Sequence, residues 1–271
     1  MNVRLLIPST LVLAPLAALG IGVSEAQAIL LVGNTRLSED GNRGFNVVGF
    51  DEDTGVFLGE FIAAGSGGLS NPDDLTFGPD GNLYISSGDT LENSAILRFD
   101  GFTGEFIDIF ATSDTLRRPY GNAFGPDGNL YVSSFLSDEI LRFNGTTGEF
   151  IDVFATGNGL AGGLNGPNDL LFAPDGSLLV TTQGSVATNG VANFPGLPSQ
   201  ILKFDLATGM STVFADQPVP TPESFGFVSF LGLALGGDGN LYTSDFANGI
   251  RVYDLAGTLL ETRSTNFTGT N

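Results

Sequence analysis

Apolar and polar residues alternate along this chain in short runs, each broken by a Pro-Asp-Gly or similar turn. The run Phe77 to Ser87 enters such a reversal at Pro79-Asp80-Gly81 and leaves it through Leu83, Tyr84 and Ile85. The pattern returns at Phe124 to Ser134, at Phe172 to Thr182 and, more loosely, at Leu235 to Ser244. A period of two rich in Tyr, Val, Ile and Phe predicts strands with a buried face. Pro presets φ, Asp bonds its own backbone and Gly accepts the positive φ of a tight reversal. Each copy therefore reads as a β-hairpin.

A second series of turns alternates with the first, at Thr54-Gly55, Thr103-Gly104, Thr147-Gly148, Thr208-Gly209 and Ala256-Gly257. Short strands flank each one, as Ile96 to Phe99 and Glu105 to Phe110 flank Thr103-Gly104. One unit is thus strand A, an Asp-Gly turn, strand B, a variable loop, strand C, a Thr-Gly turn and strand D. Four antiparallel strands in roughly 45 residues describe a propeller blade, which must stack on neighbours to bury its faces. The expected fold is all-β, a β-propeller with five visible blade units. The first unit lacks a strand A. Ser264 to Asn271 is a candidate for it, and closure at five or six blades is open at this stage.

In such a meander both tight turns fall on one side of the disc, and the variable connections fall on the other, where every strand A begins. That loop-rich face is the expected binding face. Aligning the strand A starts places Asp73, Tyr120, Asn168 and Leu231 in one register near the channel mouth. Oxygens of Asp73 and Asn168 suit a hard cation such as Ca²⁺, or they cap turns as Asx residues commonly do. Asp74, Asn122, Asp169, the basic pair Arg117-Arg118, and Phe194 in the long Gln183 to Ser199 insertion complete the candidate ligand or partner face. Asp51-Glu52-Asp53 lacks the ligand spacing of a calcium loop and reads as a plain turn.

Composition narrows the chemistry. The formal charge of −20 leaves no basic footprint for nucleic acid. With no His and no Cys, a Ser–His–Asp triad, a thiol nucleophile and a disulfide framework are all excluded. Met1 to Ala28 has the charged start, the apolar run and the Ala26-Gln27-Ala28 triplet of a signal peptide, so 29–271 is the expected propeller domain, secreted or periplasmic. No later segment is apolar enough to span a bilayer, and a monomer is expected.

The run Asp238 to Tyr253, Asp-Gly-Asn-Leu-Tyr-Thr-Ser-Asp followed by Asn248 and Ile250-Arg251-Val252-Tyr253, resembles an NHL repeat. The wider pattern, from Asn71 to Thr262, is similar to the six-bladed propellers of the gluconolactonase-like and virginiamycin B lyase-like groups. The resemblance implies the fold. In the gluconolactonase-like enzymes Asp and Asn after the strand A Pro, with a Glu from another blade, bind a catalytic divalent metal; Asp73 and Asn168 match, and no Glu stands in register. The streptogramin lyases use a histidine that this chain lacks. Two functions follow as expectations: a binding or interaction module acting through the loop-rich face on a protein or small molecule, or a metal-dependent lactone or ester hydrolase.

Overall fold

The computed structural model describes residues 28–35, 44–220, 226–247 and 249–263. The expected signal segment and the Ser264 to Asn271 stretch lie outside these residues, apart from Ala28. Blade I has three strands, β1 (Ile29–Asn34), β2 (Asn46–Asp51) and β3 (Phe57–Ile62). Blade II is β4 (Asp74–Phe77), β5 (Leu83–Ser87), β6 (Ala95–Phe99) and β7 (Phe106–Ala111). Blade III is β8 (Pro119–Phe124), β9 (Asn129–Ser134), β10 (Glu139–Asn144) and β11 (Phe150–Thr156). Blade IV begins with β12 (Pro167–Phe172) and β13 (Leu178–Thr182). It then carries a separate hairpin, β14 (Val186–Thr188) and β15 (Val191–Asn193), and ends with β16 (Ile201–Phe204) and β17 (Ser211–Ala215). Blade V is β18 (Phe230–Leu235), β19 (Leu241–Asp245), β20 (Gly249–Tyr253) and β21 (Leu259–Arg263).

The chain is therefore an all-β propeller built of four-stranded antiparallel blades, with a first blade that lacks strand A among the described residues. The repeated reversal is held by one device. Asp80 Oδ1 accepts from the Asn82 amide, while Asp80 Oδ2 accepts from Asn82 Nδ2 and from the Tyr84 hydroxyl at 3.0 Å. Asp127 and Asp238 repeat all three bonds. Asp51 turns its own Thr-Gly corner by accepting from the Thr54 amide at 2.6 Å.

The core lies between blades. Leu31 and Val47 of blade I meet Leu83, Ile85, Leu97 and Phe99 of blade II. Tyr84 and Ile96 of blade II then meet Leu130, Leu141 and Phe143 of blade III, and Tyr131 and Ile140 of blade III meet Leu178, Leu202 and Phe204 of blade IV. Leu179 and Ile201 close the series against Leu233, Leu241 and Tyr253 of blade V. Alternation within each strand thus sends successive residues to opposite neighbours. The tyrosines are seated edge-on, Tyr84 against Phe110 and Phe124 at 4.8 and 4.9 Å between centroids. No helix among the described residues is long and apolar enough to cross a membrane.

Candidate functional site

Strand A of blades II, III and IV starts from a sharp corner. Asn71, Arg118 and Gly166 take φ values of 47°, 53° and 61°, and a proline follows each one. Gly adopts this left-handed conformation freely and Asn tolerates it, but for Arg it is strained. Arg118 is held there from both sides: its amide donates to Ser94 Oγ at 2.9 Å, and its carbonyl accepts from the Phe135 amide at 3.2 Å. The corner turns the next residues toward the axis. Asp73, Tyr120, Asn168 and Leu231, aligned in one register by the sequence, all line a single cavity of about 780 Å³.

The cavity is polar on the strand A side and apolar at its rim. Arg118 lies over the Tyr120 ring, 4.9 Å from its centre, and that ring packs edge-on against Phe135 at 4.8 Å. Burial pushes the Asp73 carboxyl up to about 7, opposed by the Arg118 charge and reinforced by Asp74. Burial also raises the Tyr120 hydroxyl above its ordinary value. Asn168 is buried, its carbonyl accepts from Ser133 Oγ at 2.5 Å, and its Nδ2 has no hydrogen-bond partner among the described residues. The Arg118 Nε is likewise buried and without one. The rim holds Phe194, Leu197, Phe227 and Phe246, with Phe194 65 % and Phe246 74 % exposed.

The other candidate residues go elsewhere. Asp74 Oδ2 accepts from the Asn122 amide at 2.8 Å, and Asn122 Nδ2 donates to Ser86 Oγ at 3.0 Å, so both tie blade II to blade III. Asp169 spans blades IV and V in the same way. Arg117 turns away from the cavity toward Gly190 in the β14–β15 turn. Gln183, Gln217, Phe227 and Phe246 line the cavity without having been singled out by sequence. They sit in the variable loops, outside the repeated registers that allow alignment, and a single phenylalanine in each of two loops, Phe227 and Phe246, is their only signal.

The insertion in blade IV forms part of the wall through Gln183, Gly184, Phe194, Gly196 and Leu197. Asp138 of blade III anchors it, accepting from the Ala187 amide at 2.6 Å and from the Gly166 amide at 2.8 Å. Asp138 is buried, and that burial raises its pKa against the pull of the two amides.

No protein-family model matches the sequence, and no curated protein matches it. Solved structures do. A putative gluconolactonase is 20% identical, with a TM-score of 0.52 over 71% of this chain and 62% of its own. A catalytically inactive virginiamycin B lyase from Staphylococcus aureus with quinupristin is 17% identical, with a TM-score of 0.52 over 88% of this chain and 75% of its own. Hydrazine synthase from Kuenenia stuttgartiensis is 16% identical, with a TM-score of 0.53 over 87% and 80%. At these identities the likeness is one of fold. It bears out the expected resemblance to virginiamycin B lyase and gluconolactonase-like propellers.

Proposed function

We propose that this propeller is a binding module that takes a compact organic ligand into the cavity at the strand A starts, with an acceptor-bearing head on Arg118 and Asn168 and an apolar body against the rim. The observation that carries this reading is the cavity itself. A volume of about 780 Å³ with polar side chains gathered on the strand A side and an apolar rim has the size and make-up of small-molecule sites. Buried donors without partners, Arg118 Nε and Asn168 Nδ2, favour carboxylate or carbonyl oxygen over a cation. Export belongs to the same proposal and rests on the N-terminal composition.

A hydrolase reading draws support from Asp73 and Asn168 sharing the cavity. Hard cations take six or more oxygens, and no group of three acidic side chains comes together among the described residues, while the Arg118 charge faces Asp73. The donor set is a poor fit, and no catalytic step is derived from it.

The chain contains no Trp, so Phe194→Trp places a lone tryptophan on the cavity rim, which can be excited selectively over the tyrosines. Titration with hydrocinnamate, with its methyl ester and with Ca²⁺ separates the readings. The expected result is a saturable change with hydrocinnamate, weakened about tenfold or more by Arg118→Met, as loss of a charged hydrogen bond implies. Stoichiometric Ca²⁺ binding abolished by Asp73→Ala would favour the hydrolase instead.

A further inference from the structure

Among the described residues that line the cavity, two are charged, Asp73 and Arg118, one of each sign. They stand at the strand A starts of neighbouring blades. Asn71, at φ 47°, and Pro72 lead into Asp73, whose amide is tied to the Ser86 carbonyl at 3.1 Å. Arg118 is held at its own corner and lies over the Tyr120 ring. Both charges act on the same hydroxyl: burial raises Tyr120, Arg118 pulls it down and Asp73 pushes it up. A positive and a negative pole therefore converge around one tyrosine on the strand A side of the cavity.

A singly charged ligand answers one pole and is opposed by the other. A carboxylate on Arg118 faces the Asp73 carboxylate, and a lone ammonium on Asp73 faces the guanidinium. Where burial removes water, both repulsions strengthen. An anion must also approach a chain of formal charge −20, whereas a ligand with no net charge is spared that field. Next to the poles, Asn168 Nδ2 offers a buried donor without a partner. Beyond them stand the rim phenylalanines, Phe227 and Phe246 at 6.3 Å with their rings tilted by 32°, together with Phe194.

We infer that the ligand of this cavity is a free α-amino acid with an aromatic or large apolar side chain. Its carboxylate sits on Arg118 and Asn168, its ammonium on Asp73 and its side chain among the rim phenylalanines. This rests on the reading of the cavity as a small-molecule site and adds a second charge to the ligand's head. An α-amino acid carries both charges on one small head, as poles that meet at one tyrosine require, and its side chain leaves that head in a third direction.

Calorimetric titration of the whole protein with three ligands that share a phenyl ring tests this. They are L-phenylalanine, hydrocinnamate, which lacks only the ammonium, and phenethylamine, which lacks only the carboxylate. A pH of about 8 keeps Asp73 mostly ionised, since burial holds it at about 7, and the ammonium of a free amino acid is still protonated there. Phenylalanine should bind about tenfold or more tightly than either analogue, as one charged hydrogen bond implies. Asp73→Asn keeps the shape and removes the charge. It should bring phenylalanine down to the affinity of hydrocinnamate and leave hydrocinnamate no weaker. Wild type that binds hydrocinnamate as tightly as phenylalanine overturns the inference and leaves the small-molecule site standing. A phenylalanine advantage that survives in folded Asp73→Asn overturns it as well. Failure of all three ligands removes the small-molecule reading together with it.

Discussion

Asp169 and Leu233 stand in different blades and are joined by a 2.7 Å hydrogen bond from the Leu233 amide to Asp169 Oδ2. The second oxygen of the same carboxylate accepts from the Leu170 amide at 2.7 Å, and all three groups are buried. Asp74 makes the same pair of bonds to Leu75 and Asn122 between blades II and III. A buried carboxylate that completes two main-chain donors is a structural tie, because an orphaned buried amide costs about 1–3 kcal/mol. Asp169→Ala should therefore lower stability by about 2–5 kcal/mol in urea unfolding. A loss under about 0.5 kcal/mol would mean that water or a shifted backbone replaces the bonds.

Blade V replaces a core leucine with an ion pair. Arg251 occupies the position of Leu97, Leu141 and Leu202, and it donates to Asp245 Oδ2 at 2.9 and 2.7 Å with both side chains nearly inaccessible. Asp245 Oδ1 also accepts from the Ser229 and Ala247 amides. Arg251→Leu alone strands the carboxylate and should cost about 3–5 kcal/mol. Adding Asp245→Ser, which imitates Ser87 and Ser134 of blades II and III, should recover most of that loss. A double-mutant cycle in denaturant checks this, and additive losses would count against pairing as the cause.

The blades were legible because Pro-Asp-Gly, Thr-Gly and the alternating Leu, Ile and Phe recur in register, and each recurrence has a local cause in turn chemistry or period-two burial. The register also brought Asp73, Tyr120, Asn168 and Leu231 to one cavity wall. It could not separate Asp73 from Asp74, or Asn168 from Asp169. Neighbouring residues in a strand point to opposite sides, so one of each pair lines the cavity and the other ties blades. The rim was illegible for another reason: Phe227 and Phe246 come from loops with no repeated frame, and their meeting at 6.3 Å depends on how separate loops fold over the axis.

Asp73 gives a pH dependence whose sign is set by burial. Its folded pKa is raised from 3.8 to about 7, so the folded state holds a proton that the unfolded chain has released. The stability from this group is complete below about pH 4 and is lost as pH rises toward 7. Arg118, Asp74 and Asp89 are the described side chains that modulate it. Asp73→Asn should remove this component. The difference in unfolding free energy between wild type and variant should shift in the variant's favour from pH 4 to pH 7 and then flatten. A constant difference across that range would show that Asp73 titrates normally.

The wall insertion should depend on Asp138. Its carboxylate is the acceptor for both the Ala187 and Gly166 amides, one in β14 and the other at the corner before β12. It sits at φ 54°, which Asn accepts almost as well as Asp. Asp138→Asn therefore keeps the backbone corner and one acceptor, whereas Asp138→Ala removes both acceptors and strains the corner. Hydrogen exchange read at Ala187 and Gly166 should accelerate modestly in the first variant and by about tenfold or more in the second, given about 1–3 kcal/mol per unpaired buried amide. The amides of β9 and β10 should keep their protection, since the blade III ladder does not use this side chain. Loss of protection throughout blade III would instead make Asp138 a determinant of the whole blade rather than an anchor for the cavity wall.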